Sequence, residues 1–223
     1  MIGTSRATSS LALFDGPRAL DVACLGIGAR VERERDALAR AIARAAADSG
    51  YLHSFVPDAV LELEEAFASA VGARHALGLA SGTAALHVAL AVCGVRAGDE
   101  VVTTPYTWPQ VISPILDRLA VPVFADIDPD TYTLAPTSIE AAITERTRAI
   151  LAVHQFGHAA DMTRIREIAR SQNLRIIEDA AQAFGATWNG SPVGIHGDVA
   201  CFSLGLTKLV SGLEGGVLVT NDT

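Results

Sequence analysis

Residues 148–185 read RAILAVHQFGHAADMTRIREIARSQNLRIIEDAAQAFG, and this stretch contains one strand–helix–strand unit. The apolar run Arg148–Val153 predicts a buried strand, and Arg175–Glu178 predicts a second one. Between them, Met162–Gln172 has the composition of a helix, with Asp161 as a plausible N-cap. Strands joined by a crossover helix run parallel, so this stretch predicts an α/β fold.

The same alternation of strands and helices extends from residue 76 to the last residue. It predicts a largely parallel sheet whose functional residues gather at the carboxyl ends of the strands. Thr137 and Glu140 fit a capping box at the start of one helix. The other predicted strands are Ala76–Ala80, Glu100–Thr104, Val121–Asp126, Val199–Phe202 and Gly216–Thr220, and the other predicted helices are Asp58–Val71, Thr83–Cys93, Pro109–Arg118 and Thr137–Thr144.

The first fifty residues are predicted to form a separate segment. Residues 1–30 are irregular and glycine-rich, and the apolar stretch Leu11–Phe14 indicates an extended arm that packs on another surface. Val31–Ala47 predicts a helix. The expected organisation is therefore an arm and helix at 1–50 and a large domain at 51–223. The chain stops after a strand and a turn, which suggests a fragment.

Composition narrows the class of function. The net charge is −8 and no basic run occurs, which disfavours nucleic-acid binding. Cys24, Cys93 and Cys201 lie far apart, as expected of buried thiols in a reducing compartment. No apolar run is long enough to span a bilayer, and the N-terminus lacks a compact basic-then-apolar signal. A cytoplasmic protein is the expectation.

The scarcity of lysine indicates a candidate catalytic amine. Lys208 is the chain's one lysine, beside sixteen arginines. An amine that must lose its proton and attack a carbonyl cannot be arginine, whose guanidinium stays protonated. The other interpretation is arginine-biased codon usage with one leftover surface lysine. Ser203 precedes Lys208 by five residues, in a loop so rich in glycine that its backbone can approach a ligand closely.

Three further residues or motifs each have a functional and a structural interpretation. Ser81, Gly82 and Thr83 open a helix, where free N–H groups can hold a phosphate, although Ser81 could equally be an ordinary N-cap. Asp179 follows a strand and could hold a proton on a ring nitrogen, or cap a helix. Trp108 could stack on a flat ring, or be a core aromatic.

Metal binding is the weaker interpretation of two other patterns. His154 and His158 stand four apart, but Gly157 lies between them and no Glu follows His154 as the zinc-protease motif requires. The aspartates at 126, 128 and 130 are interrupted by Pro129, which favours a turn over a Ca²⁺ loop. No metal is expected. Phosphate loop, aromatic, strand-end acid and unique lysine together are the parts that hold pyridoxal phosphate (PLP).

The sequence also resembles a known family, DegT/DnrJ/EryC1/StrS, from about residue 11 to the last residue. Its members are fold-type I PLP enzymes, mostly sugar and cyclitol aminotransferases. The resemblance implies a three-layer α/β/α large domain with a mostly parallel mixed sheet, followed in the family by a smaller C-terminal domain that is missing here. The motifs that carry it are Ser81–Leu86, Asp126–Asp128, Glu178–Gly185, Phe202–Ser203, Thr207–Lys208 and Glu214–Asp222.

The resemblance assigns roles residue by residue. Lys208 bonds to the cofactor aldehyde and then moves a proton. Asp179 pairs with the ring nitrogen, and Trp108 stacks on the ring. Gln182 lies against the ring or its hydroxyl. Gly82, Thr83 and Ser203 bind the phosphate.

The resemblance also implies a substrate class and an assembly. An amino-acid donor, glutamine or glutamate, would aminate a keto-sugar or keto-cyclitol in secondary-metabolite or cell-surface sugar biosynthesis. Leu209 stands where the family often has Asn, and Leu204-Gly205 where it often has an aromatic-His pair. Together with the opening Leu11–Pro17, the Lys208-Leu209 pair favours the branch that acts on cyclitols or makes aminohydroxybenzoate. A homodimer with shared sites is expected.

Two alternatives stay open at the level of sequence. One is a PLP-dependent dehydratase of the same family, but that branch replaces the lysine by histidine. The other is a truncated, non-catalytic homologue that binds the cofactor poorly, which the missing C-terminal half favours.

Overall fold

The computed structural model describes residues 58–222 and the helical positions 39, 40 and 43. Those three positions fall within the predicted helix Val31–Ala47, whose other residues lie outside the described part, as does the predicted arm of residues 1–30. The division into 1–50 and 51–223 therefore stays a prediction.

A seven-stranded mixed sheet forms the centre of the described domain. The strands of the described residues are β1 His75–Leu79, β2 Glu100–Thr103, β3 Val121–Phe124, β4 Thr147–Val153, β5 Arg175–Asp179, β6 Thr187–Trp188, β7 Ser191–Pro192, β8 Val199–Ser203 and β9 Gly216–Thr220. The strand order in the sheet is β1-β9-β8-β5-β4-β2-β3. The strands from β8 to β3 all pair in parallel, while β9 is antiparallel to both of its neighbours. A separate hairpin, β6 with β7, was not predicted.

Helices cover both faces of this sheet, which confirms the three-layer α/β/α architecture. Successive strand residues point to opposite faces. On β2, Val101 packs with the helices Gly82–Val92 (α2) and Ser113–Asp117 (α3), whereas Val102 packs with Pro136–Ala142 (α4) and Met162–Gln172 (α5). Phe67 of α1 packs against Phe202 and Val217. The helices are α1 Asp58–Val71, α2 Gly82–Val92, α3 Ser113–Asp117, α4 Pro136–Ala142 and α5 Met162–Gln172. No helix in the described range is long and apolar enough to cross a membrane.

Local signals at the helix starts were partly right. Asp161 caps α5, since its Oδ1 accepts from Arg164 N at 3.0 Å. The predicted capping box of Thr137 and Glu140 is wrong, because α4 begins one residue earlier, with Ala135 as N-cap and Pro136 in its first turn. The predicted helix Pro109–Arg118 is divided into a 3₁₀ turn, Pro109–Val111, and α3.

One edge of the sheet collects the chemistry-bearing residues. Parallel strands end at the same edge, so the residues that follow β2, β4, β5 and β8 lie along it. Since β1 and β8 are both antiparallel to β9, β1 also ends there. This geometry places the segments after Thr103, Val153 and Asp179 on the edge that holds Ser81–Thr83 and Ser203.

Candidate active site

The start of α2 places backbone N–H groups at the sheet edge. Ser81 is its N-cap, with extended backbone, and its Oγ accepts from Ala84 N at 3.1 Å. Ala85 N donates to the carbonyl of Ser81 at 3.1 Å. Gly82 and Thr83 precede these two, and N–H groups in a helix's first turn have no intrahelical acceptor. The N-cap interpretation of Ser81 is confirmed, and phosphate binding by the neighbouring N–H groups stays a prediction.

Ser203 lies directly against Gly82. A Cβ added to Gly82 would lie 2.9 Å from the Ser203 Cβ and 3.4 Å from its Oγ, so only glycine allows this approach. Ser203 ends β8 and is half-buried. The structure thereby brings Gly82 against Ser203, 121 residues further along the chain, and Thr83 directly follows Gly82. These three residues offer N–H and hydroxyl groups of the kind that can hold a phosphate.

Gly216 closes the same cluster from the other side, and this contact gives a testable prediction. A Cβ on Gly216 would lie 2.5 Å from Gly82 N and closer still to the Ser81 carbonyl, which is backbone that cannot move aside cheaply. We expect Gly216→Ala to lower the free energy of unfolding by about 3 kcal/mol, at the high end of overpacking penalties. Urea denaturation measures this loss.

Gly205→Ala is the matched control, because its added Cβ would meet only Ser203 Oγ at an ordinary 3.5 Å. We expect that change to cost less than about 1 kcal/mol. Equal losses in the two variants would show that the Gly216 contact with the start of α2 is unimportant.

Lys208 sits in a loop that folds back on the strand ends. Its N–H donates to the carbonyl of Gly205 at 2.9 Å, and its side chain is half-buried. Gly212 N donates to the carbonyl of Leu204 at 2.9 Å, and Leu204 N donates to that of Gly215 at 2.8 Å. These bonds hold the loop over the end of β8, close to Ser203.

Asp179 is the last residue of β5 and is buried, with 4% of its surface exposed. Its Oδ1 accepts from Ala181 N at 2.9 Å in a tight turn, and no helix follows, so the helix-cap interpretation is wrong. Burial raises the pKa of Asp179, while the Ala181 N–H and the charge of Lys208 oppose this rise. The charge of Lys208 is therefore near enough to favour the ionised carboxyl, and a shared site for the two residues stays a prediction.

Two other predicted residues lie at this edge in different surroundings. Gln182 is half-buried, and its Oε1 accepts from Phe156 N at 3.2 Å. Trp108 is 64% exposed, so its indole is not a core aromatic and is available to cover a ligand. Contacts of these two side chains with a cofactor ring stay predictions.

The sequence did not reveal a buried pair behind the edge. His154 and Glu178 are both fully buried, and His154 Nε2 lies 2.9 Å from Glu178 Oε2. Burial by itself raises the pKa of Glu178, but hydrogen bonds from His154, Gly194 and Gly197 together hold it below its usual value. His158, the proposed metal partner of His154, is exposed and does not share this contact.

Three exposed aromatic rings were also missed. Tyr106 lies 5.9 Å from Tyr132 and 6.2 Å from Phe156 between ring centroids. Tyr132 and Phe156 have positive φ angles of 59° and 52°, which non-glycine residues adopt rarely. The only sequence signal for this group was its position after strand-like runs.

Comparison with known proteins places these features in a family. Residues 34–223 match the DegT/DnrJ/EryC1/StrS aminotransferase family. The chain is 47% identical over 161 residues to L-glutamine:scyllo-inosose aminotransferase of Streptomyces griseus, covering 72% of this chain and 38% of that protein. It is 44% identical over 163 residues to GDP-perosamine synthase of Caulobacter vibrioides, covering 73% and 44%.

Solved structures of similar sequence have the same fold as the described domain. The S. venezuelae protein DesV, crystallised in complex with a ketimine intermediate, superposes with a TM-score of 0.81 at 39% identity. The match covers 88% of this chain and 53% of DesV. The chain thus spans about half the length of its structural relatives, and 38% to 44% of the two curated relatives named above.

Proposed function

The chain belongs to the DegT/DnrJ/EryC1/StrS aminotransferase family, and from this premise we propose that it is a PLP-dependent aminotransferase. The proposed donor is glutamine or glutamate, and the proposed acceptor is a ketone on a sugar or cyclitol. The observation that supports the proposal is the close approach of Ser203 to Gly82 at the sheet edge where β5 ends in the buried Asp179. Lys208 lies in the loop that follows Ser203.

The residues present fit PLP. The close approach of Ser203 to Gly82 leaves a cradle of hydroxyl and N–H donors suited to the phosphate. The primary amine of Lys208 matches the aldehyde, and the carboxylate of Asp179 matches the pyridine nitrogen. When bound, PLP supplies an electrophilic aldehyde and a ring that stabilises negative charge on the substrate carbon.

The chain's own residues then have distinct tasks. Gly82, Thr83 and Ser203 anchor the phosphate, and the exposed indole of Trp108 covers the ring. Asp179 keeps a proton on the ring nitrogen, and its burial strengthens that interaction because the local dielectric is low. Gln182 orients the ring or its hydroxyl. Lys208, once its amine is uncharged, would take up and release a proton beside the bound ring as a general base and acid.

A cyclitol ketone is the favoured acceptor. The inosose aminotransferase of S. griseus matches slightly better than GDP-perosamine synthase, at 47% against 44% identity. The Lys208-Leu209 pair and the segment Leu11–Pro17 resemble the cyclitol branch. A homodimer and a cytoplasmic location are also part of the proposal.

Covalent trapping followed by isotope transfer tests this function. The purified chain is loaded with PLP, reduced with borohydride and digested, and we expect one labelled peptide, which contains Lys208. With scyllo-inosose and glutamine labelled with ¹⁵N at the α-amine, the ¹⁵N label is expected on the cyclitol by mass spectrometry, whereas glutamine labelled at the side-chain amide should leave the cyclitol unlabelled. An unlabelled Lys208 would contradict the proposal, and loss of a substrate hydroxyl without gain of nitrogen would favour the dehydratase.

A further inference from the structure

The polar atoms of the buried His154 and Glu178 side chains all form hydrogen bonds within the protein. His154 Nδ1 accepts from Ala160 N at 3.1 Å, so its lone pair is used there and the ring proton is on Nε2. That proton is donated to Glu178 Oε2, 2.9 Å away. The hydrogen bonds therefore assign a neutral imidazole that faces a carboxylate.

Glu178 accepts four hydrogen bonds. Oε2 receives His154 Nε2 and Gly194 N, the latter at 2.8 Å. Oε1 receives His196 N at 2.8 Å and Gly197 N at 2.6 Å. Four donors match the four acceptor positions of a carboxylate, and neither a protonated Glu nor a Gln could accept all of them. Glu178 thus fixes the turn at residues 194–197 to the end of β5.

This pair reaches the site through the backbone. Adjacent strand residues face opposite sides of a sheet, so the Glu178 and Asp179 side chains lie on different faces. His154 N nevertheless donates to the carbonyl of Asp179 at 3.0 Å. The backbone that carries the Asp179 side chain is therefore fixed at two neighbouring residues. At residue 178 the Glu178 side chain is hydrogen-bonded, and at residue 179 the backbone carbonyl accepts from His154 N.

We propose that His154 and Glu178 are positioning residues that hold the end of β5 in place and thereby set the location of the Asp179 carboxyl. The proposal rests on the proposed function, because Asp179 needs a defined location only if it contacts a bound ring. A pair that served packing alone would be costly here, since apolar residues fill a core without the penalty of a buried carboxylate.

The first test uses the protein without cofactor. In Glu178→Gln we expect the amide of Ala181, which donates to Asp179 Oδ1, to exchange with deuterium about tenfold faster, because the turn that carries it is loosened. Glu167→Gln, an exposed glutamate on α5, is the matched control and leaves this rate unchanged. Faster exchange confined to Gly194, His196 and Gly197 would show a merely structural role and overturn the proposal.

The second test uses the PLP-loaded protein. We expect Glu178→Gln to lower kcat about tenfold with KM within about twofold, since misplacement of a catalytic group slows chemistry more than binding. His154→Gln is expected to have the same effects on amide exchange and on kcat. If Glu178→Gln does not fold, both measurements are made on His154→Gln instead. His158→Gln, at an exposed histidine, is the control.

The outcomes separate the two proposals. The positioning role alone would be overturned if Lys208 of the wild type is labelled by borohydride while Glu178→Gln has the wild-type rate of Ala181 amide exchange and the wild-type kcat. Absence of that label in the wild type would overturn the aminotransferase proposal and the positioning role with it.

Discussion

Lys208→Arg is expected to lower the rate of amine transfer by at least about 10⁴-fold, which corresponds to about 5 kcal/mol of transition-state stabilisation. Arginine keeps the positive charge that opposes the rise in the Asp179 pKa, so the fold should be retained. It cannot lose its proton at neutral pH, so it can neither bond to the aldehyde nor act as the base. Steady-state kinetics and borohydride labelling measure the two losses.

Arg170→Lys is the matched control for this change. Arg170 lies exposed in the last turn of α5, so the variant adds a second lysine at the surface. We expect unchanged activity and no label on residue 170. In the double variant Arg170→Lys with Lys208→Arg, the surface lysine should restore nothing. A borohydride-fixed label in Lys208→Arg would refute the assignment of Lys208.

Part of the site and of the fold could be predicted from the sequence. Scarcity drew attention to Lys208, because an amine with a chemical task cannot be replaced by arginine, and the motifs around it favoured the catalytic interpretation. The strand–helix–strand unit was equally accessible: α5 has the predicted bounds Met162–Gln172, and β5 extends only one residue beyond its prediction. Apolar runs and helix composition are local properties, and they were sufficient there.

Features that depend on distant neighbours were not accessible. Glu178 was read as part of a motif, yet its role depends on His154, 24 residues away, through the pairing of β4 with β5. The contact of Gly216 with Ser81 and Gly82 joins residues more than 130 positions apart. The predicted capping box was wrong because Pro136 is favoured in the first turn of a helix, so α4 begins at Pro136 and Thr137 is not its N-cap.

Asp179→Asn is expected to have opposite effects on activity and on stability. Asn keeps an oxygen for the Ala181 N–H but cannot hold a proton on the ring nitrogen of PLP. Amine transfer should fall about 10²- to 10⁴-fold, the range typical of a positioned acid–base group. Single-turnover kinetics with saturating glutamine measure this loss apart from binding.

Stability of the cofactor-free protein should change in the other direction. Burial raises the pKa of Asp179 in the folded state above its ordinary value of 3.8, so the unfolded chain releases this proton more readily. The wild type therefore loses stability as the pH rises from below 3.8 through the raised pKa, and the penalty persists above it. Asp179→Asn lacks this penalty at neutral pH.

Thermal unfolding across pH tests this sign. We expect the Tm of Asp179→Asn to exceed that of wild type at pH 7 and the difference to shrink toward pH 3, where Asp179 is protonated in both states. A domain of this size shifts its Tm by about 2–4 °C per kcal/mol, so even a small penalty is measurable. Asp161→Asn, which keeps an N-cap oxygen at an exposed helix start, is the control and should show no such trend. A wild type more stable than Asp179→Asn at pH 7 would mean that Asp179 contributes to the fold, whereas the expected order means that the carboxyl is retained at a cost for its chemistry.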